Sequence, residues 1–396
     1  MKRKRIVIDI TSLMEVTFVS GIQRVVREII VRMVSKRGID GTRIQLIAYS
    51  LKRLGFFAIP EQRFLDCYQS GLIHVSALSD DVLFSFDQLG PWDIFFDIDS
   101  VWNNRMRRSF LLPILKRQGV SIAVQIYDII PILYPQFCDA ETTLRFMDYL
   151  GAHLLFADLI IANTESTLCD IRKLTERIGT KPIQTTCVPL GADLPLMISE
   201  PTKSTKTDPS LLRLGKGRFL LMVGTIEPRK NHAFMLDLYE QKLRSEGFLL
   251  VIAGRQGWNV EELMERIRSL QKADEHFLYF SHANDETINY LYKNAFFTVF
   301  PTQYEGFGLP IIESFLHHTP ILASDIPVLR EVGGDLCDYF TLNSQEDFQR
   351  MLLYYSQNPS RYARKKNMLE SYVPCSWDQS EEMMWEALQQ LRTNDR

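Results

Sequence analysis

Ala295-Phe-Phe-Thr-Val-Phe-Pro-Thr-Gln303 leads into Glu305-Gly-Phe-Gly-Leu-Pro-Ile-Ile-Glu313 and then Ser314-Phe-Leu-His-His-Thr-Pro320. The first segment reads as a β-strand running into a loop, and the last as the body of a short helix. Between them, two glycines and a proline let the backbone turn sharply and approach a ligand closely. The free N–H groups at the start of the helix face the same place, which suits an anion. Two carboxylates frame that place, Glu305 on the loop and Glu313 in the first turns of the helix. A carboxylate repels a bare phosphate but accepts hydrogen bonds from hydroxyls beside one. A ligand with a phosphate centre and polyhydroxylated groups on either side is a nucleotide sugar. The alternative is a plain strand–turn–helix in which Glu313 only favours the helix N-terminus.

Upstream, Arg218-Phe-Leu-Leu-Met-Val-Gly224 is a strand with a glycine at its end, followed by Thr225-Ile-Glu-Pro-Arg-Lys-Asn-His232. This loop delivers two adjacent cations before a helix. Arg229 offers a planar fork and Lys230 a compact point charge, a combination that matches the oxygens of a diphosphate. Such a pair would stabilise charge developing on a leaving nucleoside diphosphate. The other option is a basic dipeptide on a solvated surface. Phe248–Gly254 and Phe277–Asp285 repeat the strand-then-loop theme. At the other end of the chain, Ile6-Val-Ile-Asp-Ile10 is a first buried strand. Ser20-Gly-Ile-Gln-Arg24 is a loop, and from Val25 the sequence adopts a helical period. Val25, Val26, Ile29, Ile30, Met33 and Val34 face the sheet, leaving Arg27, Arg32, Lys36 and Arg37 outside. This Rossmann-type opening has one glycine where a dinucleotide fingerprint needs three, which counts against NAD. Gly21 still permits close backbone approach to a phosphate, or simply fits the turn.

Glu305 and Glu313, with Gly306, Phe307, Gly308 and Leu309 between them, together with Glu-Pro-Arg-Lys-Asn at 227–231, resemble the signature of retaining glycosyltransferases of the large sucrose-synthase and mannosyltransferase-like (GT4-like) family. The resemblance extends over nearly the whole chain. It implies an α/β fold of GT-B architecture: two Rossmann-like domains facing a cleft, with the C-terminal helix crossing back to the first. In that family the second Glu clamps the nucleotide ribose, here Glu313, and the first sits beside the donor sugar, here Glu305. Arg229 and Lys230 resemble the diphosphate ligands, with Gly224 beside them. The Gly21 loop would lie over the phosphate from across the cleft, and Ser281 and His282 resemble the loop that meets the base. The family commonly has His-Asp where this chain has Tyr127-Asp128, so Asp128 is retained at a strand end without the imidazole.

Asp93-Ile-Phe-Phe-Asp-Ile-Asp99 is richer in carboxylates than a plain strand end. Asp97 and Asp99 lie on one side of an extended segment. They fit an acceptor's hydroxyls (with Tyr127), a metal pair or an acidic strand terminus. Asp81–Phe86 reads as a further strand. Phe146–Phe156 reads as a helix whose His153 is structural or on a rim, and Ser376–Leu391 as a last helix with Trp377, Met384, Trp385 and Leu388 on its apolar side. The expected domains are 1–200 and 217–375, joined by a polar linker at 201–216, with the crossover helix at 376–396.

The 396 residues suffice for two cores. The net charge of -3 gives no case for nucleic acid, yet residues 1–53 carry twelve Lys/Arg against four Asp/Glu. If the acceptor is lipid-linked, such a patch would rest on anionic headgroups of the inner leaflet. The six cysteines at 67, 138, 169, 187, 337 and 375 contain no CxxC, which argues for reduced thiols and against structural zinc. No signal peptide or 18-residue uncharged apolar run is recognisable, so a cytoplasmic protein is expected, peripheral on the membrane at most. The resemblance implies transfer of a hexose, with retention of anomeric configuration, from a nucleoside-diphosphate sugar to a glycan or lipid-linked saccharide. The lean is to mannose from GDP-mannose in bacterial surface-polysaccharide synthesis, without cofactor or metal. The rivals are a nucleotide-sugar epimerase on the same fold and a non-catalytic scaffold subunit of a transferase complex.

Overall fold

A computed structural model describes residues 5–15, 21–37, 42–69, 82–104, 106–192, 211–214 and 218–391. The chain forms two compact units. One comprises Met1–Pro135, Ala140–Gly191 and Cys375–Arg396, and the other Gln136–Asp139 and Ala192–Pro374. Of the expected linker, only Leu211–Leu214 lies within the described residues. It forms a helical turn whose Leu211 and Leu214 are buried in the second core.

The first unit is built on a sheet of β1 (Arg5–Asp9), β2 (Arg43–Ser50), β3 (Gly55–Ile59), β4 (Ile94–Asp97), β5 (Ser121–Ile126), β6 (Leu159–Ala162) and β7 (Gln184–Cys187). Their order is β3-β2-β1-β4-β5-β6-β7. Every neighbouring pair is parallel except β2 with β3. The apolar runs explain this. Ile6–Ile8, Ile122–Val124 and Leu159–Ala162 are fully buried, as strands covered by helices on both faces must be. The strand expected to end at Phe86 does not form. Asp81 lies outside the described residues, Leu83 makes an isolated bridge to Phe57, and Phe86–Gln88 is a single tight turn. The Ser85 hydroxyl accepts the Asp87 N–H there and diverts the backbone from a sheet ladder.

The second unit contains β8 (Arg218–Val223), β9 (Phe248–Ala253), β10 (Phe277–Phe280), β11 (Phe297–Phe300), β12 (Ile321–Ser324) and β13 (Asp338–Phe340). The order is β10-β9-β8-β11-β12-β13, parallel throughout. Each sheet is therefore doubly wound about its first strand, as the two Rossmann-like halves of the expected architecture require. Strand order reverses between β1 and β4 in one unit and between β8 and β11 in the other. Loops leaving neighbouring strands diverge at such a point and leave a crevice at the carboxyl ends.

The helix Trp377–Gln390 belongs to the first unit. It opens with a reciprocal capping box between Ser376 and Gln379 and buries Trp377, Met384, Trp385 and Leu388. It packs on the helix Gly21–Arg37. Asp378 lies 3.2 Å from Arg32 and 2.5 Å from Lys36, and Glu381 lies 3.5 Å from Lys36. Arg27 lies over the ring of Tyr68. The basic face expected to stand open is thus largely engaged within the unit, and the Arg32 side chain is only 11% exposed.

The chain leaving β7 presses on this helix at Gly191, where a Cβ would come within 2.5 Å of the Trp377 Cα. Gly191→Ala must move backbone rather than a flexible side chain. It is expected to destabilise the protein by about 1–3 kcal/mol, the usual range for overpacking, as measured by urea denaturation. An unchanged midpoint would show that the contact relaxes freely.

Candidate active site

At the switch point of the second unit, the loop after β8 meets the loop after β11. Gly224, at φ +134°, donates its N–H to Ala253. Gly254 faces it so closely that a Cβ there would overlap the Gly224 carbonyl at 1.8 Å. Only glycine fits at 254. Ile226 then donates its N–H to the Arg255 carbonyl, and its own carbonyl accepts the Gly257 N–H, which ties the two loops together. The 224–227 segment is fixed before the cations are reached.

Arg229 and Lys230 lie in the single turn Pro228–Lys230. Arg229 Nη1 and Lys230 Nζ each lie 2.5 Å from Glu305 Oε1, which also accepts from Thr302 Oγ1 at 3.1 Å. Arg229 Nη2 lies 2.6 Å from Glu227, and Nη1 donates to the Tyr304 carbonyl at 2.9 Å. The Lys230 ammonium stands 4.7 Å from the centre of the Phe300 ring. Two half-buried cations are thus balanced by two buried carboxylates. Burial alone would raise the Glu305 carboxyl, but Arg229 and then Lys230 overcome it and hold the group at about 2. Burial pulls Lys230 below its usual value, opposed by Glu305 and aided by Arg229. Glu305 is a fixed anion and not a proton donor near neutral pH.

Beyond Glu305, Gly306–Gly308 turns into the helix Leu309–Leu316. Gly308 adopts φ +105°, and a Cβ would meet Leu329 at 2.9 Å. Glu313 is half-buried on this helix, its Oε2 accepting from the Tyr292 hydroxyl at 2.8 Å. Ser281 and His282 are exposed after β10, with His282 Nδ1 2.9 Å from Ser281 Oγ. Gly224, Arg229, Lys230, Glu305 and the 306–309 turn therefore converge. Glu227 and Thr302 complete the cluster, though neither drew a role from sequence. Both stood inside the quoted motifs, next to residues that did.

The other expected site residues belong to the first unit. Gly21 opens the helix Gly21–Arg37 and is exposed. Asp128 follows β5, and its Oδ1 accepts the Ile130 N–H at 3.0 Å in a local turn that leads into the short helix Ile130–Leu133. Asp97 and Asp99 are turned inward, 0% and 1% exposed, so the polar-rim geometry expected of an acceptor contact is not what they form. Asp97 receives Arg108 Nε and Nη2 at 2.6 and 2.7 Å and faces His153 Nε2 at 3.0 Å. Arg108 Nη2 also bonds Asp9 at 2.7 Å. Burial would raise Asp97, but Arg108 and His153 hold it at about 2. Among the described residues Asp99 has no ion-pair partner. Burial pushes it up to about 7, against the N–H groups of Ser100 and Leu13 that its oxygens accept at 2.6 Å. Tyr127 is buried and donates to the Ile98 carbonyl at 2.8 Å. The acidic strand terminus is thus an internal ion-pair network, with His153 inside it. Among the described residues no group of three or more His, Cys, Asp or Glu could hold a metal. Among them, too, no helix is long and apolar enough to cross a membrane.

Residues 204–367 match the family model Glycosyl transferases group 1. The chain is 26% identical over 391 residues to the serotype-specific mannosyltransferase WbdA of Escherichia coli, an alignment covering 96% of this chain and 44% of that protein. It is 29% identical over 159 residues to the O-antigen chain mannosyltransferase RfbU of Salmonella typhimurium, covering 40% of this chain and 44% of that one. The chain therefore spans less than half the length of the WbdA proteins it matches. Among solved structures, sucrose-phosphate synthase from Thermosynechococcus elongatus superposes with a TM-score of 0.66 at 15% identity, covering 99% of this chain and 100% of that one. Anabaena HepE in complex with UDP-glucose gives 0.64 at 14% identity, covering 98% and 99%. Fold and switch-point cluster together define the GT-B class. Within that class, residues 204–367 match the group 1 glycosyl transferases, and the similarity over nearly the whole chain is to the mannosyltransferase WbdA.

Glu305 and Asp97 both have carboxyls held below the unfolded range. Their contribution is complete above the unfolded value near pH 4 and is lost as pH falls toward 2. Each is expected to contribute on the order of 2–3 kcal/mol by linkage. Urea midpoints measured from pH 5 to pH 2 should fall steeply. A flat profile across that window would contradict both ion pairs.

Proposed function

We propose that the chain transfers a hexose, with retention of anomeric configuration, from a nucleoside-diphosphate sugar to a glycan or lipid-linked saccharide. Mannose from GDP-mannose is the favoured donor, a preference supported by the names of the relatives. The observation that carries the reading is the half-buried Arg229–Lys230 pair, held on a glycine-pinned loop at a switch point beside the 306–309 turn. In this reading the pair takes the diphosphate and stabilises its growing charge as it leaves, the part a divalent cation plays elsewhere. Glu313 accepts the ribose hydroxyls. Gly224 and Gly306–Leu309 admit the donor's phosphates and sugar, and Ser281 and His282 lie toward the base.

Glu305 orients the donor sugar and keeps both cations extended. Its Oε1 is already shared among Arg229, Lys230 and Thr302, an arrangement that suits a fixed anion better than a covalent nucleophile. Retention then follows from front-face substitution, with the departing phosphate receiving the acceptor's proton. Gly21 and Asp128 are assigned to the first unit's part in the reaction, Gly21 at the donor phosphate and Asp128 at the reacting centre.

Arg229→Ala and Lys230→Ala should each weaken nucleoside-diphosphate binding and transfer together, by roughly ten- to a hundredfold for a lost charge-assisted contact. Calorimetric titration with GDP, UDP and ADP, paired with transfer assays, tests this. Wild-type affinity in either variant would refute the diphosphate assignment, and a purified chain that binds none of the three would favour a scaffold. Product analysis without an acceptor separates transfer from epimerisation.

Docking on anionic lipid headgroups is proposed through basic residues of 1–53 other than Arg5, Arg32 and Lys36, which are already ion-paired. With fewer charges available at about 1 kcal/mol each, binding should be weak and abolished by salt. Sedimentation with neutral and anionic vesicles at low and high salt tests it. Equal recovery in the supernatant throughout rejects the contact.

A further inference from the structure

The carboxylate of Glu313 does not stand alone. Tyr292, on the helix Asp285–Asn294, is 1% exposed, and a buried phenol must find a partner for its hydroxyl. It donates to Glu313 Oε2 at 2.8 Å. The His317 ring stacks on Tyr292, with centres 5.1 Å apart and planes at 17°. His317 Nδ1 lies 2.7 Å from the Glu313 carbonyl oxygen, and Nε2 lies 3.1 Å from Asn289 Oδ1. Thr319 Oγ1 donates to the Tyr292 carbonyl at 2.6 Å. One helix thus grips the end of its neighbour through side chain, ring and backbone, and all three grips converge on the turn that carries Glu313.

We infer that Tyr292 is a positioning residue for Glu313, fixing the carboxylate plane so that it meets a vicinal diol already oriented. The inference rests on the reading of Glu313 as the ribose contact. A glutamate side chain loses rotamer freedom when it binds, and a carboxylate has about four lone-pair sites, so one bond from Tyr292 restrains the group without exhausting it. His317 and Asn289 hold the Tyr292 ring in turn. The consequence is selectivity for sugar hydroxyls: tight binding of ribonucleotides with no contact between Tyr292 and the ligand.

The test compares GDP, UDP and ADP with their 2′,3′-dideoxy counterparts by calorimetry, for the unaltered chain and for Tyr292→Phe, Asn289→Ala and Glu313→Gln. The unaltered chain should prefer the ribo form. Tyr292→Phe should lose roughly tenfold in affinity for the ribo form, the scale of one hydrogen bond to a charged group, and nothing for the dideoxy form. Glu313→Gln should erase the preference, and adding Tyr292→Phe to it should cost nothing more. Asn289 is exposed, so Asn289→Ala keeps the fold and should reduce the preference in the same sense. A wild-type ribo-to-dideoxy ratio in both Tyr292→Phe and Asn289→Ala, or equal weakening of both forms, overturns the inference alone. An unaltered chain that binds nucleotides without preferring ribose overturns it together with the role of Glu313. One that binds none of them overturns the donor reading itself.

Discussion

One carboxylate oxygen, Glu305 Oε1, ties together the two loops that leave the second sheet at its switch point. Arg229 and Lys230 come from the loop after β8, and Glu305 and Thr302 from the loop after β11. Buried charges persist only when paired and hydrogen-bonded, and removing one partner strands the others at several kcal/mol. The loop positions therefore depend on each other through this atom. The glycines complete the constraint from the backbone side, since Gly254 and Gly224 leave no room between them for a methyl group. A site assembled this way is organised before any ligand arrives, which is the condition for electrostatic stabilisation without reorganisation.

The first unit offers an instructive contrast. It has the same strand order at its centre and places charges at the same topological position, yet Arg108 satisfies Asp9 and Asp97 internally. Similar residues at similar places in the fold thus serve different ends. In one unit the cations lie beside a glycine turn that opens into a helix. In the other the guanidinium is 1% exposed and locked between strand ends.

Strands were legible because continuous apolar runs have few interpretations in an α/β chain, and β1, β8, β9 and β11 lie where those runs lie. The 305–313 stretch was legible because its glycines and carboxylates are closely spaced along the sequence. Side-chain direction at a strand end was not. Asp97 and Asp99 could be seen to share a side, but whether that side held solvent or Arg108 depends on a helix eleven residues further on. The segment before Phe86 looked like a strand by composition, and a single serine hydroxyl redirected it. Tyr292 gave no signal at all, since a tyrosine on an amphipathic helix looks like any other core aromatic until its partner helix is in place. The basic face of the first long helix had the same difficulty, because the acids that cover it lie more than 340 residues away.

The seat of the Trp377–Gln390 helix has a consequence for synthesis. The first unit contains segments made both before and after almost all of the second, and Gly191 touches Trp377 where those segments rejoin. On the ribosome, domains generally fold as they emerge, N-terminal first. Here the earlier-made unit must wait for its Trp377–Gln390 helix while the later one is completed. Arg32 and Lys36 stay unpaired from Asp378 and Glu381 for the same interval. The order of manufacture and the order of completion are therefore reversed: the unit begun first is completed only after the other, when the Trp377–Gln390 helix docks.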